Sequence, residues 1–569
     1  MLSDVSLLIV EAWVVIGLTL IGMGLLWHWL CRAPATSAGE LLHAFWLGWA
    51  LLLFLLQFWH FFLPVDERAA VAAVAVGLIG IAVGGWRPWG ALLRGLPWHL
   101  PTLMAFALLV LGLSNRALDG PHFGDVGLYH LPVVYWDKAY PIVPGLGNLF
   151  VPFGHNISYF LWVALLDVGP FAHCSLHLAN SILVLALFAR GLLGLDRLVR
   201  VWRPCAPHDV YWALVLPIAV GQAFSIFFTS PSPDQPVVLI ELALAGELVA
   251  FFGRRAARPA PDFDVLAVAL LAAAAVTIKL SAAGLAAAVV LVVVVRWLWR
   301  DRPLRHGGGA TLVALATVAV AAAVIWVTGN LVLTGCPVYP SGFAALPVDW
   351  RVQADAVKWI EAPMVFGLPL WQAIVDWRWS LRRLDSLGWN DPFILVPLAL
   401  CLVTTAITVC YRCVRRRPEV ARLPLVILVP ALVSFVFCFA NTPMPRYLGA
   451  SVWILLVDSL LLFLGATAYG HGRWGRALTG VAVLAATGFV LRAQDPLLLS
   501  ARSFAVLPAP QVVEETLPTG LRVRVPRESQ TCWDAPPPCT PEPNPGLRLR
   551  RAGDLASGFW IAPSISPGP

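Results

Sequence analysis

Apolar residues run along most of this chain in nearly unbroken stretches of about twenty, separated by short polar segments carrying Gly, Pro or Arg. Wound as an α-helix, such a stretch spans a hydrocarbon core of about 30 Å. The runs are continuously apolar and do not alternate, so they predict helices and not the strands of a closed barrel. The pattern predicts fourteen of them, at 5–30, 40–62, 67–85, 100–114, 171–189, 209–229, 236–252, 264–278, 280–296, 310–333, 391–412, 423–440, 447–468 and 475–493. The expected fold class is an all-α polytopic membrane protein with about 14 transmembrane helices. The stretch 157–170 is too short to cross and reads as an interfacial or re-entrant piece. The stretch 264–296 would reach about 50 Å as one helix, so it reads as a hairpin of two short ones.

This divides the chain into a multi-span membrane domain, 1–493, and a tail, 494–569. Long polar loops at 115–170 and 334–390 interrupt the spans. The Pro-rich tail reads as a small β-containing or irregular cap whose last dozen residues are disordered. Composition agrees with the pattern. Of 569 residues 59% are apolar and 12% charged, against about 25% charged in soluble domains. The net charge of +7 does not point to nucleic acid, because only Lys138, Lys279 and Lys358 are lysines and most arginines sit in short loops.

The arginines set an orientation. Asp4 stands where a cleaved signal peptide carries its basic region, so the first run reads as a signal anchor with its start outside. The seven linkers then placed inside hold 21 arginines, against Arg68, Lys279 and Arg446 in the short outer connections. Both long loops and the tail share the outer face. Of ten cysteines, only Cys336, Cys532 and Cys539 fall there, and Cys532 and Cys539, which enclose six residues including Pro536, Pro537 and Pro538, are expected to form a disulfide.

Chemistry concentrates in the first outer loop, where Asp119, His122, Asp125, His130, Asp137 and Lys138 fall within 20 residues of a chain otherwise poor in charge. Leu131, Val134 and Tyr135 recur at helical spacing, as in a short helix lying on the membrane surface. Asp125 precedes that helix and has three uses open to it. It can cap the first turn, take a proton from an incoming hydroxyl, or, with His122, hold a divalent cation such as Mg²⁺ or Mn²⁺. Tyr129 and His130 follow it as substrate-binding candidates.

Lys279, in T-I-K-L-S between two short helices, is costly below the headgroups and either snorkels or faces an anion. Arg446, in T-P-M-P-R-Y at the same expected depth, is an interfacial anchor or a second phosphate ligand. Asp234, in S-P-S-P-D-Q-P, either caps the next helix or reaches the same cleft. Glu241, Glu247 and Asp458 are intramembrane carboxylates, and the spacing of the two glutamates puts them on different helix faces. In the second loop Trp350, Trp359, Trp371, Trp377 and Trp379 alternate with Arg351, Lys358, Arg378, Arg382 and Arg383. That composition suits a lid on headgroups, sugar stacking, or an anchored helix pair. The chain has no Gly-rich phosphate loop.

The segments F-G-D-V-G-L-Y-H, V-P-G-L-G-N-L, T-I-K-L-S, G-C-P-V-Y-P-S and C-W-D-A-P-P-P-C-T, spread between about 119 and 540, resemble a bacterial family of GT-C-like membrane proteins. With its acidic residue just before an interfacial helix, the chain looks more broadly like the GT-C superfamily of membrane glycosyltransferases. Protein O-mannosyltransferases and the lipid A aminoarabinose transferases belong to that superfamily. The resemblance implies transfer of a sugar from a polyprenyl-phosphate donor to a lipid, glycan or protein acceptor, on the periplasmic or exterior face of a bacterial inner membrane. Asp125 alone matches the superfamily's loop carboxylate. Many such enzymes have two adjacent acids, whereas Gly124 and Val126 flank Asp125 here, which leaves Asp119 as the candidate second catalytic acid. A lipid-linked sugar flippase or transporter, or a non-catalytic scaffold of envelope assembly, shares most of these features, although the halves of the chain show no transporter-like repeat.

Overall fold

The computed structural model describes residues 4–33, 35–85, 89–90, 93, 100–200, 206–253, 261–301, 308–361, 388–415, 423–441, 444–467, 473–492 and 503–562. The chain is mostly helical. Its main helices are α1 (Asp4–Leu30), α2 (Ala38–His60), α3 (Glu67–Gly84), α4 (Leu100–Arg116), α5 (Leu131–Ala139), α6 (Ser158–Leu166), α7 (Ser181–Arg200), α8 (Pro207–Ala223), α9 (Asp234–Gly253), α10 (Pro261–Ile278), α11 (Ala283–Arg296), α12 (Gly309–Thr334), α13 (Ala354–Glu361), α14 (Pro392–Arg415), α15 (Val429–Asn441), α16 (Ser451–Thr467) and α17 (Arg473–Arg492).

Among the described residues, nine helices are long and apolar enough to cross a membrane. Three more, Leu100–Arg116, Leu425–Asn441 and Ser451–Ala466, are apolar but shorter. Each of the fourteen predicted stretches holds a helix, with one large shift. The segment 172–175, expected to be helical, is a loop drawn around Asp167, whose carboxylate accepts from the His173 amide, the Ser175 hydroxyl and the Lys138 ammonium. Local polar bonding there outcompetes the apolar pattern.

Helices α1, α2 and α3 meet through glycines. A β-carbon at Gly22 would overlap the backbone at Gly77, and one at Gly24 the backbone at Ala44, so side-chain-free positions set the approach. Helix α9 buries 72% of its most apolar window, whereas α12 buries only 6% of its own. Exposed Val313, Val320 and Val324 along α12 make a surface suited to hydrocarbon and unsuited to water.

Two sequence expectations change. Within the stretch 157–170, expected as an interfacial or re-entrant piece, Ser158–Leu166 form α6, whose nine residues are all buried against α2, α5 and α10, so α6 does not lie on the protein's surface. Its apolar side chains point in every direction, and only a fully packed position satisfies them. The end of the tail is also more ordered than expected. Strands β1 (Val512–Thr516) and β2 (Arg522–Pro526) pair antiparallel, as do β3 (Leu547–Leu549) and β4 (Phe559–Ile561), so the last dozen residues include a strand. Residues 563–569 lie outside the described ones.

The tail is stitched to the first long loop. Backbone amides of Ala505, Trp533 and Phe559 donate to the carbonyls of Leu118, Gly127 and Pro144 at 2.9 Å each. The Thr540 hydroxyl donates to the Leu149 carbonyl at 2.9 Å. Cys532 and Cys539 form the expected disulfide. Cys336, expected to face the oxidising side, is buried with Tyr339, Val352 and Val357 and takes no part in a disulfide among the described residues. Trp371, Trp377, Arg378, Trp379, Arg382 and Arg383 lie outside the described residues.

Candidate functional site

Asp125 stands at the start of a π-helical turn, Val126–His130, that runs directly into α5. Its backbone is already helical and its carboxylate accepts no capping bond. Freed from that local task, the carboxylate turns toward Arg446, whose Nη1 lies 3.7 Å away. Burial raises the Asp125 pKa and the neighbouring Asp234 adds to this, while Arg446 and Lys279 oppose it. Desolvation wins, so this carboxyl holds its proton to higher pH than an ordinary aspartate.

Lys279 occupies the extended break between α10 and the turn Leu280–Ala282 that leads into α11, and the two helices pack on each other about it. The Lys279 ammonium pairs with the Asp234 carboxylate and lies 4.4 Å over the Tyr447 ring. Both members of the pair are nearly enclosed, at 13% and 11% exposed. Ser232 prepares the start of α9, its hydroxyl donating to Asp234 Oδ2 at 2.9 Å and standing 3.3 Å from the Asp234 amide. Arg446 lies in the turn Pro445–Tyr447, where its guanidinium sits 4.9 Å over the Tyr447 ring and donates to the Tyr447 hydroxyl at 2.8 Å. Two carboxylates and two cations thus surround one tyrosine.

All five groups line a cavity of about 520 Å³. Its apolar wall includes Val276, Ile278, Leu280, Val338 and Phe437. A cavity with an apolar wall and a few converging polar groups is the usual form of a small-molecule site. Tyr129 lines it as well, and burial, then Asp125, push its phenol pKa well up.

Other expected residues stand elsewhere. Asp119, the candidate second acid, pairs with Arg116 at 2.5 Å and is not among the cavity-lining residues, whereas Asp234, 109 positions from Asp125 in sequence, is. His122 is 55% exposed and stands 3.8 Å from Asp119, away from Asp125's cavity. His130 lies behind the wall among the rings of Phe123, Tyr129 and Phe160, and burial lowers its pKa to about 3, which keeps it neutral. Among the described residues no group of three or more His, Cys, Asp or Glu side chains is placed to hold a metal.

The sequence reading missed Tyr447, His155, Asn156, Trp326, Asn330 and Tyr339, which also line the cavity. Tyr447 follows Arg446 directly, Tyr339 lies within G-C-P-V-Y-P-S, and His155 and Asn156 form a polar pair between apolar segments. Nothing in their spacing shows that three distant segments meet.

The residues 7–453 match the family described as a domain of unknown function (DUF8201), and the chain belongs to that family. No curated protein and no solved structure matches the chain.

Proposed function

We propose that this protein transfers a sugar from a polyprenyl-phosphate donor to a hydroxyl-bearing lipid, glycan or protein at the outer face of a bacterial inner membrane. In this reading the fourteen predicted spans cross the bilayer, and the long loops and the tail lie on the periplasmic or exterior side. The arginine distribution along the chain and the GT-C-like motifs support it.

The observation that carries the reading is the meeting of uncapped Asp125 with Lys279 and Arg446 in one cavity that also has an apolar wall. A sugar on a polyprenyl phosphate has matching parts: an anionic leaving group, a polar ring and a hydrocarbon chain. Asp125, ionised, takes the proton of the acceptor hydroxyl as its oxygen bonds to the anomeric carbon. The bond from that carbon to the phosphate oxygen breaks, and its electron pair leaves with the phosphate. Lys279 and Arg446 offset the charge that develops there. Asp234 holds Lys279 until the phosphate arrives. If a divalent cation takes part, Asp125 and Asp234 are the carboxylates at hand.

The test is transfer from a polyprenyl-phosphate sugar by the purified full chain and by its Asp125→Asn variant. Transfer by the wild type that the substitution abolishes supports the reading. Undiminished transfer by the variant removes Asp125 from it, and carrier translocation without product replaces it with the flippase.

A further inference from the structure

The cavity has a second set of polar residues that the transfer chemistry leaves unused. The His155 ring stands against the Tyr339 ring, with centroids 5.3 Å apart, and 6.4 Å from the Tyr129 ring. Tyr339 donates its hydroxyl to the Val151 carbonyl at 2.8 Å, so it turns a ring and not a hydroxyl to the cavity. Asn330 lies one helical turn after Trp326 on α12, hence on the same face, and donates its amide to the Pro337 carbonyl at 3.1 Å. Its amide oxygen, Oδ1, is buried with no hydrogen-bond partner, and the residue is 1% exposed. A buried acceptor left without a donor costs about 1–3 kcal/mol, which a ligand hydroxyl would relieve.

This set carries no charge. The ion pairs gather around Tyr447, whereas burial alone accounts for the shift of His155, which lowers its pKa to about 4 and leaves a neutral ring. A neutral imidazole offers one donor and one acceptor. With the Asn330 oxygen, it supplies what two or three sugar hydroxyls need, and the Trp326 and Tyr339 rings supply flat apolar faces for the C–H side of a ring.

We propose that Asn330 and His155, with the rings of Trp326 and Tyr339, form the sugar subsite of the cavity and select an uncharged, polyhydroxylated sugar ring. A uronic acid or an amino sugar placed there would be desolvated beside groups that cannot neutralise it. The inference rests on the glycosyl-transfer reading and adds the class of sugar.

The experiment is equilibrium binding to the full chain in lipid nanodiscs with three probes: bare polyprenyl phosphate, the same carrier bearing a neutral hexose, and the carrier bearing a hexuronic acid. The neutral glycolipid is expected to bind about tenfold more tightly than the bare carrier or the uronate. Asn330→Ala and His155→Phe should each remove most of that gain, and bare-carrier binding reports that each variant is folded. Equal binding of the hexose and uronate carriers, or a gain that survives both substitutions, overturns the subsite and leaves the transfer reading standing. Failure of all three probes to bind the wild type overturns both.

Discussion

Helix α9 carries a buried acid near each end, and the two ends have different fates. At its start Asp234 pairs with Lys279 at the wall of an open cavity. Near its other end, thirteen residues or about 20 Å away, Glu247 lies 3.5 Å from His43 in a largely buried polar cluster. There Arg190 donates to His208 at 2.8 Å and lies 5.3 Å over the Trp212 ring. Both ends hold cations, acids and aromatic rings. What differs among the described residues is that the first set lines a cavity of about 520 Å³ that a ligand can fill, whereas none of the second set lines that cavity. A buried charge therefore does not by itself mark a functional site; a buried charge beside an unfilled cavity does so more strongly.

The contrast breaks most directly at Asp125. Asp125→Asn should lower transfer by about 10²–10⁴-fold, the usual worth of a general base, with little change in thermal stability. Equal activity in both forms would make the cavity no more functional than the inner cluster.

Lys279→Ala comes next, because it leaves Asp234 buried without its cation. Unfolding measurements should show a loss of about 3–5 kcal/mol. The double variant with Asp234→Asn should recover most of this stability while transfer stays low. Joint recovery of stability and transfer would reduce the pair to a structural role.

The pH profile sharpens the electrostatics. Because Asp125's folded pKa is raised by burial, its contribution to stability is present below the unfolded value and is lost as pH rises through the folded one. Activity runs the other way, rising as the carboxyl ionises. Arg446 lowers this pKa, so Arg446→Gln should move the acid limb of the rate profile to higher pH. A limb that stays in place would mean that another group titrates.

At the inner cluster, Arg190→Met should cost about 1–3 kcal/mol in a melting experiment, while the folded fraction keeps its kcat and KM. The smallest effect is expected from the tail. The Trp533 amide bonds to Gly127 and its ring covers the turn just after Asp125. Trp533→Ala should reduce kcat by roughly the few-fold that a small displacement of the base produces, leaving bare-carrier binding unchanged.

The helical character of the chain, with helices long and apolar enough to cross a membrane, was legible because unbroken apolar runs have few other stable arrangements, and caps and breaks then fixed most helix ends. Asp125, Asp234, Lys279 and Arg446 stood out singly, as charges in a chain that has few. Their partners did not stand out. Asp119 is nearer to Asp125 in sequence than Asp234 is, yet Arg116 takes it, because Arg116 at the end of α4 lies only three residues before it and within reach. Likewise α6 reads from sequence as an interfacial or re-entrant piece, and only the helices around it bury every one of its faces.

The sequence by itself determined where helices form, which residues are too polar for hydrocarbon, and that Cys532 and Cys539 lie within bonding reach, since each depends on neighbours along the chain. Only the tertiary structure decided that Asp125 has no capping bond, that Tyr447 sits between the two ion pairs, and that Asn330 keeps an unmatched acceptor. Those facts depend on packing among segments up to some 320 residues apart, a distance over which no local pattern carries information.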